Sequence, residues 1–288
     1  MSPKLLTFVT AVRHPQNASS FSKVGALLEA TLRSVCRQSD PDFSVIVVHN
    51  SLPEFKFSDE RIHYLQVDFP PPTLERTAEI DFMAGIRDKG TKLSVGLAKA
   101  RELGAEHVMF IDCDDLLHRD IARWVNERPR HPGWYSADGF IHTVGSAWVH
   151  PVIGDFHHRN GSTSIVRTDL AALSPLIRPG SSQAEVIEIM GTHYIERIIG
   201  IHGRWSELVR EAGCEMEPLP FASTIWEIGT GENASGNLVS GRPRTRIGEE
   251  VTSDFGLERP GMAISAVQAG VMFCRRLARR ARRITKRP

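Results

Sequence analysis

Along the first 130 residues, short apolar runs alternate with longer stretches of helical periodicity. Leu5 to Val12, Phe43 to Val48, Ile62 to Val67 and Val108 to Ile111 are each four to eight residues, largely apolar and closed by polar residues, as buried strands are. Between the first two, Val24, Leu27, Leu28, Thr31, Leu32 and Val35 recur at helical spacing behind Ser20 or Ser22 as cap. Leu93, Leu97 and Ala100 share one face of a helix over Lys92 to Leu103 that Gly104 ends, and Asp115 to Arg128 continues as another through Ile121, Trp124 and Val125. Residues 73–91 are polar and give no element. The order of strands and helices, with polar residues where strands end, is that of a parallel nucleotide-binding sheet.

Beyond residue 130 the pattern changes. Gly133 to Val149 predicts short strands rich in aromatic residues, Ser162 to Arg167 alternates as a strand, and Asp169 to Leu173 starts a short helix. Gln183 to Ile201 and Trp205 to Ala212 are helical, and residues 229–248 form a polar loop with five glycines. A loop that long in a compact chain is a functional or mobile one. The implied division is 1–128 as a nucleotide-binding half, 129–248 as the catalytic and acceptor half of the same domain, and 249–288 as an extension.

Composition changes this picture little, except at the end. The chain has 288 residues, 41% of them apolar and 24% charged, ordinary for a soluble protein, and its net charge is +1. Residues 275–288 carry eight Arg or Lys and no acid, so the remaining body holds 27 basic against 34 acidic residues. Nothing in that body calls for nucleic acid. The tail pairs arginines at 275–276, 279–280 and 282–283 opposite Leu277, Ala281 and Ile284, after an apolar stretch from Met262 to Phe273. That is the pattern of an interfacial helix on an anionic membrane. Four cysteines without metal or disulfide spacing fit a reduced compartment, and no apolar run is long enough to span a bilayer. The expected location is the cytoplasm, peripheral to the membrane's inner face.

The chemistry concentrates at residues 106–117. An apolar strand ends in Asp112, Asp114 and Asp115, three carboxylates in four positions at the edge of a core. Like charges in low dielectric are costly unless a cation sits among them, and carboxylates suit Mg²⁺ or Mn²⁺. Asp115 alone is also a natural cap for the next helix. His193 and Glu196, three apart, share a helix face and are a candidate pair for a general base, with Glu232 behind them. The adjacent His157 and His158 point to opposite sides of any strand and do not make a shared metal site.

Motif and order together resemble the GT-A glycosyltransferases, in particular the family-2-like group, over roughly residues 5 to 125. The carriers are the end of the first strand and its loop, Thr10 to Arg13; the run Ser34-Val35-Cys36-Arg37-Gln38 before the second strand; Lys92 heading a helix with Gly96 and Ala100 behind it; and Asp112-Cys113-Asp114 as Asp-x-Asp. Where that family has an acid after its second strand, Asn50-Ser51 stand here. The resemblance implies a Rossmann-like mixed α/β sheet flanked by helices, and transfer of a sugar from a nucleotide diphosphate-sugar to a hydroxyl of a carbohydrate or lipid-linked acceptor, with inversion, in surface polysaccharide or glycolipid synthesis. It implies Mn²⁺ or Mg²⁺ on Asp112, Asp114 and Asp115. Donor contacts fall to Thr10, Ala11, Arg13, Asn50, Lys92, Asp112, Asn233 and Ser235, and the base to His193 or Glu196. Two other classes share such an acid-tipped strand: a metal-dependent phosphoesterase or nucleotidyltransferase, and a non-catalytic nucleotide-binding protein of the same fold.

Overall fold

A computed structural model describes residues 5–72, 78–232 and 243–257. In chain order the elements are β1 (Leu6–Ala11), α1 (Phe21–Val35), β2 (Phe43–His49), β3 (Ile62–Gln66), α2 (Ala78–Glu102), β4 (His107–Ile111), β5 (Leu116–Leu117), α3 (Ile121–Asn126), β6 (Gly133–Tyr135), β7 (Gly139–Thr143), β8 (Trp148–Val152), β9 (Ser164–Arg167), α4 (Gln183–His193), α5 (Trp205–Glu211), β10 (Glu217–Pro218), β11 (Thr224–Ile228), β12 (Thr245–Arg246) and α6 (Glu249–Phe255). Seven strands form one sheet in the order β10-β6-β9-β4-β1-β2-β3, and five form a second in the order β12-β8-β7-β11-β5. The expected class, a mixed α/β sheet flanked by helices, is what the chain forms.

β1 to β4 run parallel; β1, β2 and β4 are buried on both faces and almost continuously apolar, while β3, at the sheet edge, exposes Tyr64 and Gln66. All seven residues of β2 are buried. Alternation divides them between two cores: Ile46 and Val48 pack with Leu93, Leu97 and Trp205, while Val45 and Val47 pack with Leu28, Leu32 and Ile121. β9 joins β4 antiparallel, and β6 joins β9, so the large sheet draws strands from both sides of residue 128.

Three elements differ from their sequence pattern. α2 starts 14 residues before the predicted helix at Lys92. From Gly90 to Ala98 it is buried all round, polar Thr91, Lys92 and Ser94 included, which hides the apolar period. The helix expected from Asp115 first forms β5, because Leu116 and Leu117 pair with β11 and only then does α3 begin. The helical region through Ile201 bends at Gly191 (φ 75°) and continues as a π-helical segment, Tyr194–Gly200. That segment presses on α2 so closely that a Cβ at Gly90 would lie 2.2 Å from the Ile195 carbonyl.

The Ser34-to-Gln38 run turns out to tether the chain that leaves the acidic turn. Ser34 Oγ accepts from the Leu117 amide (2.8 Å) and donates to a carbonyl, with the Leu117 and Phe255 oxygens at 3.0 and 2.9 Å. Gln38 donates to the His118 carbonyl (2.9 Å) and accepts from the Ala122 amide (2.7 Å) in the first turn of α3.

Candidate active site

The carboxyl ends of β1 and β4 open onto a cleft of about 570 Å³. Its wall includes Ala11, Arg13, Asp88, Lys89, Asp112, Asp114, Gly161, Trp226 and Glu232. A parallel sheet leaves such a crevice beyond its strand ends, where helices on the two faces part.

The three acids of the run have three different fates. Asp112 faces the cleft with its side chain 30% exposed and forms an ion pair with Lys89. Burial pulls its carboxyl upward, but Lys89 and the nearby His202 outweigh that, and the net shift is downward. Asp114 also lines the cleft; burial, and then the charge of Asp112, push it up to about 7. Asp115 is fully buried and turned into the fold. Its Oδ2 accepts from Asn160 (2.8 Å) and Ser162 Oγ (2.6 Å), and its Oδ1 from the Glu227 amide (3.4 Å). Burial first, then Asp114 and Asp112, raise its carboxyl well above the ordinary range. Ser162 Oγ in turn accepts from the Asp112 amide at 2.8 Å, so one hydroxyl ties both acids to the strand start of β9.

His202 lies behind Asp112. It is 1% exposed and adopts φ 63°, a left-handed conformation that costs a branched or bulky residue strain. Its Nδ1 donates to the Gly161 carbonyl at 3.0 Å. Burial, reinforced by Lys89 and opposed by Asp112, pushes it down to about 3, so the ring is neutral. A Cβ at Gly161 would sit 2.8 Å from that Nδ1 and 3.4 Å from Asp112 Oδ2, and glycine keeps the passage open.

The remaining expected residues divide. Ala11 and Arg13 line the cleft, whereas Thr10 is fully buried within β1. Asn50 lies in a separate hollow at the ends of β1 to β3, with His14, Gln66 and Asp68, and donates to the Phe69 carbonyl at 2.7 Å. Lys92 is sealed at 0% exposure, donating to Asp88 Oδ2 (2.7 Å) and the Val12 carbonyl (3.0 Å). It anchors α2 to the end of β1 and is absent from the cleft wall. His193 and Glu196 lie outside the cleft wall: His193 is exposed, and Glu196 is held by Arg87 at 2.6 Å. Asn233 and Ser235, like the tail from residue 258, lie outside the described residues.

Lys89 is the cleft residue that pattern reading passed over. It sits in the polar stretch that gave no element, and only the extension of α2 brings it beside Asp112. Glu232, which the sequence offers behind His193 and Glu196, does line the cleft. Its carboxylate accepts from the Ser19 and Ser20 amides (3.2 and 2.9 Å) and from the Ser19 hydroxyl at the start of α1, and pairs with Arg13 at 3.3 Å.

Of the three acids expected to hold a metal, Asp112 and Asp114 line the cleft. Asp115 is committed to the fold, and Asp112 carries Lys89. Among the described residues, no group of three or more His, Cys, Asp or Glu side chains converges to hold a metal ion.

No family model matches the chain, and no curated protein does. Among solved structures, S. aureus TarS aligns with 78% of this chain at 12% identity and a TM-score of 0.42. The aligned part is 37% of the TarS chain, so this protein spans well under half of that length.

Proposed function

We propose that the protein is a GT-A-type glycosyltransferase that moves a sugar from a nucleoside diphosphate donor to a hydroxyl acceptor. One observation carries this reading: an acid-tipped parallel strand opens, beside β1, onto a cleft that sets Arg13 and Lys89 opposite Asp112 and Asp114. Breaking a glycosyl–phosphate bond leaves a diphosphate whose negative charge must be met as it develops, and preorganised cations in a partly dry cleft do that at little reorganisation cost. Arg13 and Lys89 have the reach and the sign. The carboxylates would accept hydrogen bonds from sugar hydroxyls. No step is assigned to a metal, and none to His193 or Glu196, which do not face the cleft. The basic tail, by its sequence, suits an acceptor at an anionic membrane surface.

The test is a panel of nucleotide sugars incubated with the full chain and scored for nucleoside diphosphate release and for sugar transfer. Asp114→Asn is expected to lower turnover by about 100-fold or more, the scale of losing one polar group from a preorganised site, with the melting temperature unchanged. Release of inorganic phosphate without sugar transfer would instead favour a phosphoesterase and sink this reading.

A further inference from the structure

The cleft already contains a cation where one was needed. The Lys89 ammonium is paired with Asp112, both side chains line the cleft, and they remain 24% and 30% exposed. Three residues on, Lys92 is shut away by Asp88 and Val12, and that buried i,i+4 pair fixes the helix that presents Lys89. An ammonium carries three donors, so one can stay on Asp112 while two face an incoming anion. Of the acids, Asp115 is turned into the fold, accepting from Asn160, Ser162 and the Glu227 amide, which leaves Asp112, already paired with Lys89, and Asp114 at the cleft; among the described residues no group of three ligating side chains converges.

We infer that Lys89 is the phosphate-binding cation of this cleft, and that nucleoside diphosphate binds here without a divalent metal. This rests on the glycosyltransferase reading for the identity of the anion. It reverses the role of Asp112. In a metal site Asp112 would be a ligand and its loss would abolish binding. Here Asp112 competes with the diphosphate for Lys89 and adds like charge beside it, so its loss leaves binding intact or tighter.

Isothermal titration of the full chain with uridine, guanosine, adenosine, cytidine and thymidine diphosphates, in EDTA and again with Mn²⁺, separates the cases. At least one is expected to bind in EDTA, with Mn²⁺ changing its Kd by less than about threefold. Lys89→Met is expected to weaken that binding by about tenfold or more, the scale of a lost charge-assisted hydrogen bond, and Lys89→Arg to keep most of it. Asp112→Asn is expected to bind at least as tightly as the parent. Thermal melts of the three variants establish that each is folded, and Lys89→Gln replaces the methionine variant if that one is not. Binding that appears only with Mn²⁺ and disappears in Asp112→Asn would overturn the inference and leave the glycosyltransferase reading standing. Binding in EDTA that ignores Lys89 would also overturn it. Failure of all five nucleotides to bind under either condition would sink the glycosyltransferase reading, and this inference with it.

Discussion

Ser162 shows how much of the site hangs on single polar atoms. Its hydroxyl donates to buried Asp115 and accepts from the Asp112 amide, at 2.6 and 2.8 Å, while its carbonyl takes a bond from Thr224 Oγ1 on β11. Ser162→Ala removes two of these, leaving the buried Asp115 Oδ2 with Asn160 alone and the Asp112 amide without its acceptor. It should cost about 2–3 kcal/mol in chemical denaturation, well beyond the small change in apolar contact. His107 acts at the same scale, through pH. It is fully buried, its Nε2 donates to the His131 carbonyl at 2.7 Å, and burial pushes it down to about 4. Between pH 4 and 6.5 the unfolded chain therefore binds the proton that the folded chain refuses. Stability from this group is complete above about pH 6.5 and is lost as pH falls toward 4, up to about 3 kcal/mol in all. His107→Gln keeps the donor and cannot titrate. Its unfolding free energy, measured from pH 4 to 7.5, should show a flatter limb than the parent; identical limbs would rule His107 out as the cause.

At the scale of elements, the site depends on segments that no local pattern joins. Gln38 lies just past α1, yet its two side-chain bonds hold His118 and the first turn of α3, the chain that leaves the acidic turn. Gln38→Leu should therefore cost about 1–3 kcal/mol, because it leaves the buried Ala122 amide without its acceptor. It should also blunt nucleotide binding, which a simple loss of surface polarity would not do; unchanged affinity and stability would show that the tether is idle. α2 illustrates the complementary point. Lys92 is legible in sequence as a cation in a helix before the acidic strand, and the structure does place it in that helix. The sequence does not show that Asp88 and Val12 would seal it while Lys89, a hundred degrees or so round the same helix from Asp88, meets Asp112. Which lysine faces the cleft is a question of helix phase, and the phase was hidden because residues 90–98 of α2 are buried on every side.

Across the whole molecule, the charge balance sets a further expectation. A body of net −7 ends in a segment with eight basic residues, and no helix among the described residues is long and apolar enough to cross a membrane. At about 1 kcal/mol per basic residue near an anionic surface, such a tail is enough to hold the protein on vesicles at low salt. The full chain should co-float with vesicles containing phosphatidylserine and be released by raised salt, while a chain ending at residue 261 should stay behind. Equal flotation of the two would refute a role for the tail.

What the sequence determined by itself is the parallel half. Strands buried on both faces must be continuously apolar, and acids that close such a strand must lie at its end, so β1, β2, β4 and the positions of Asp112 and Asp114 could be read directly. The sequence could equally supply Asp115, His193, Glu196 and Lys92 as site candidates, because their chemistry is right and nothing local shows which way they turn. Only the tertiary structure decided that. Asp115 is drawn inward by Asn160 and Ser162, residues 45 and 47 positions away; Glu196 is engaged by Arg87 across 109; Lys89 meets Asp112 through a helix that the pattern did not show. Local periodicity encodes which face of an element is buried. Long-range hydrogen bonds and ion pairs, whose partners no short window contains, encode which polar side chains are spent on the fold and which are left for a ligand.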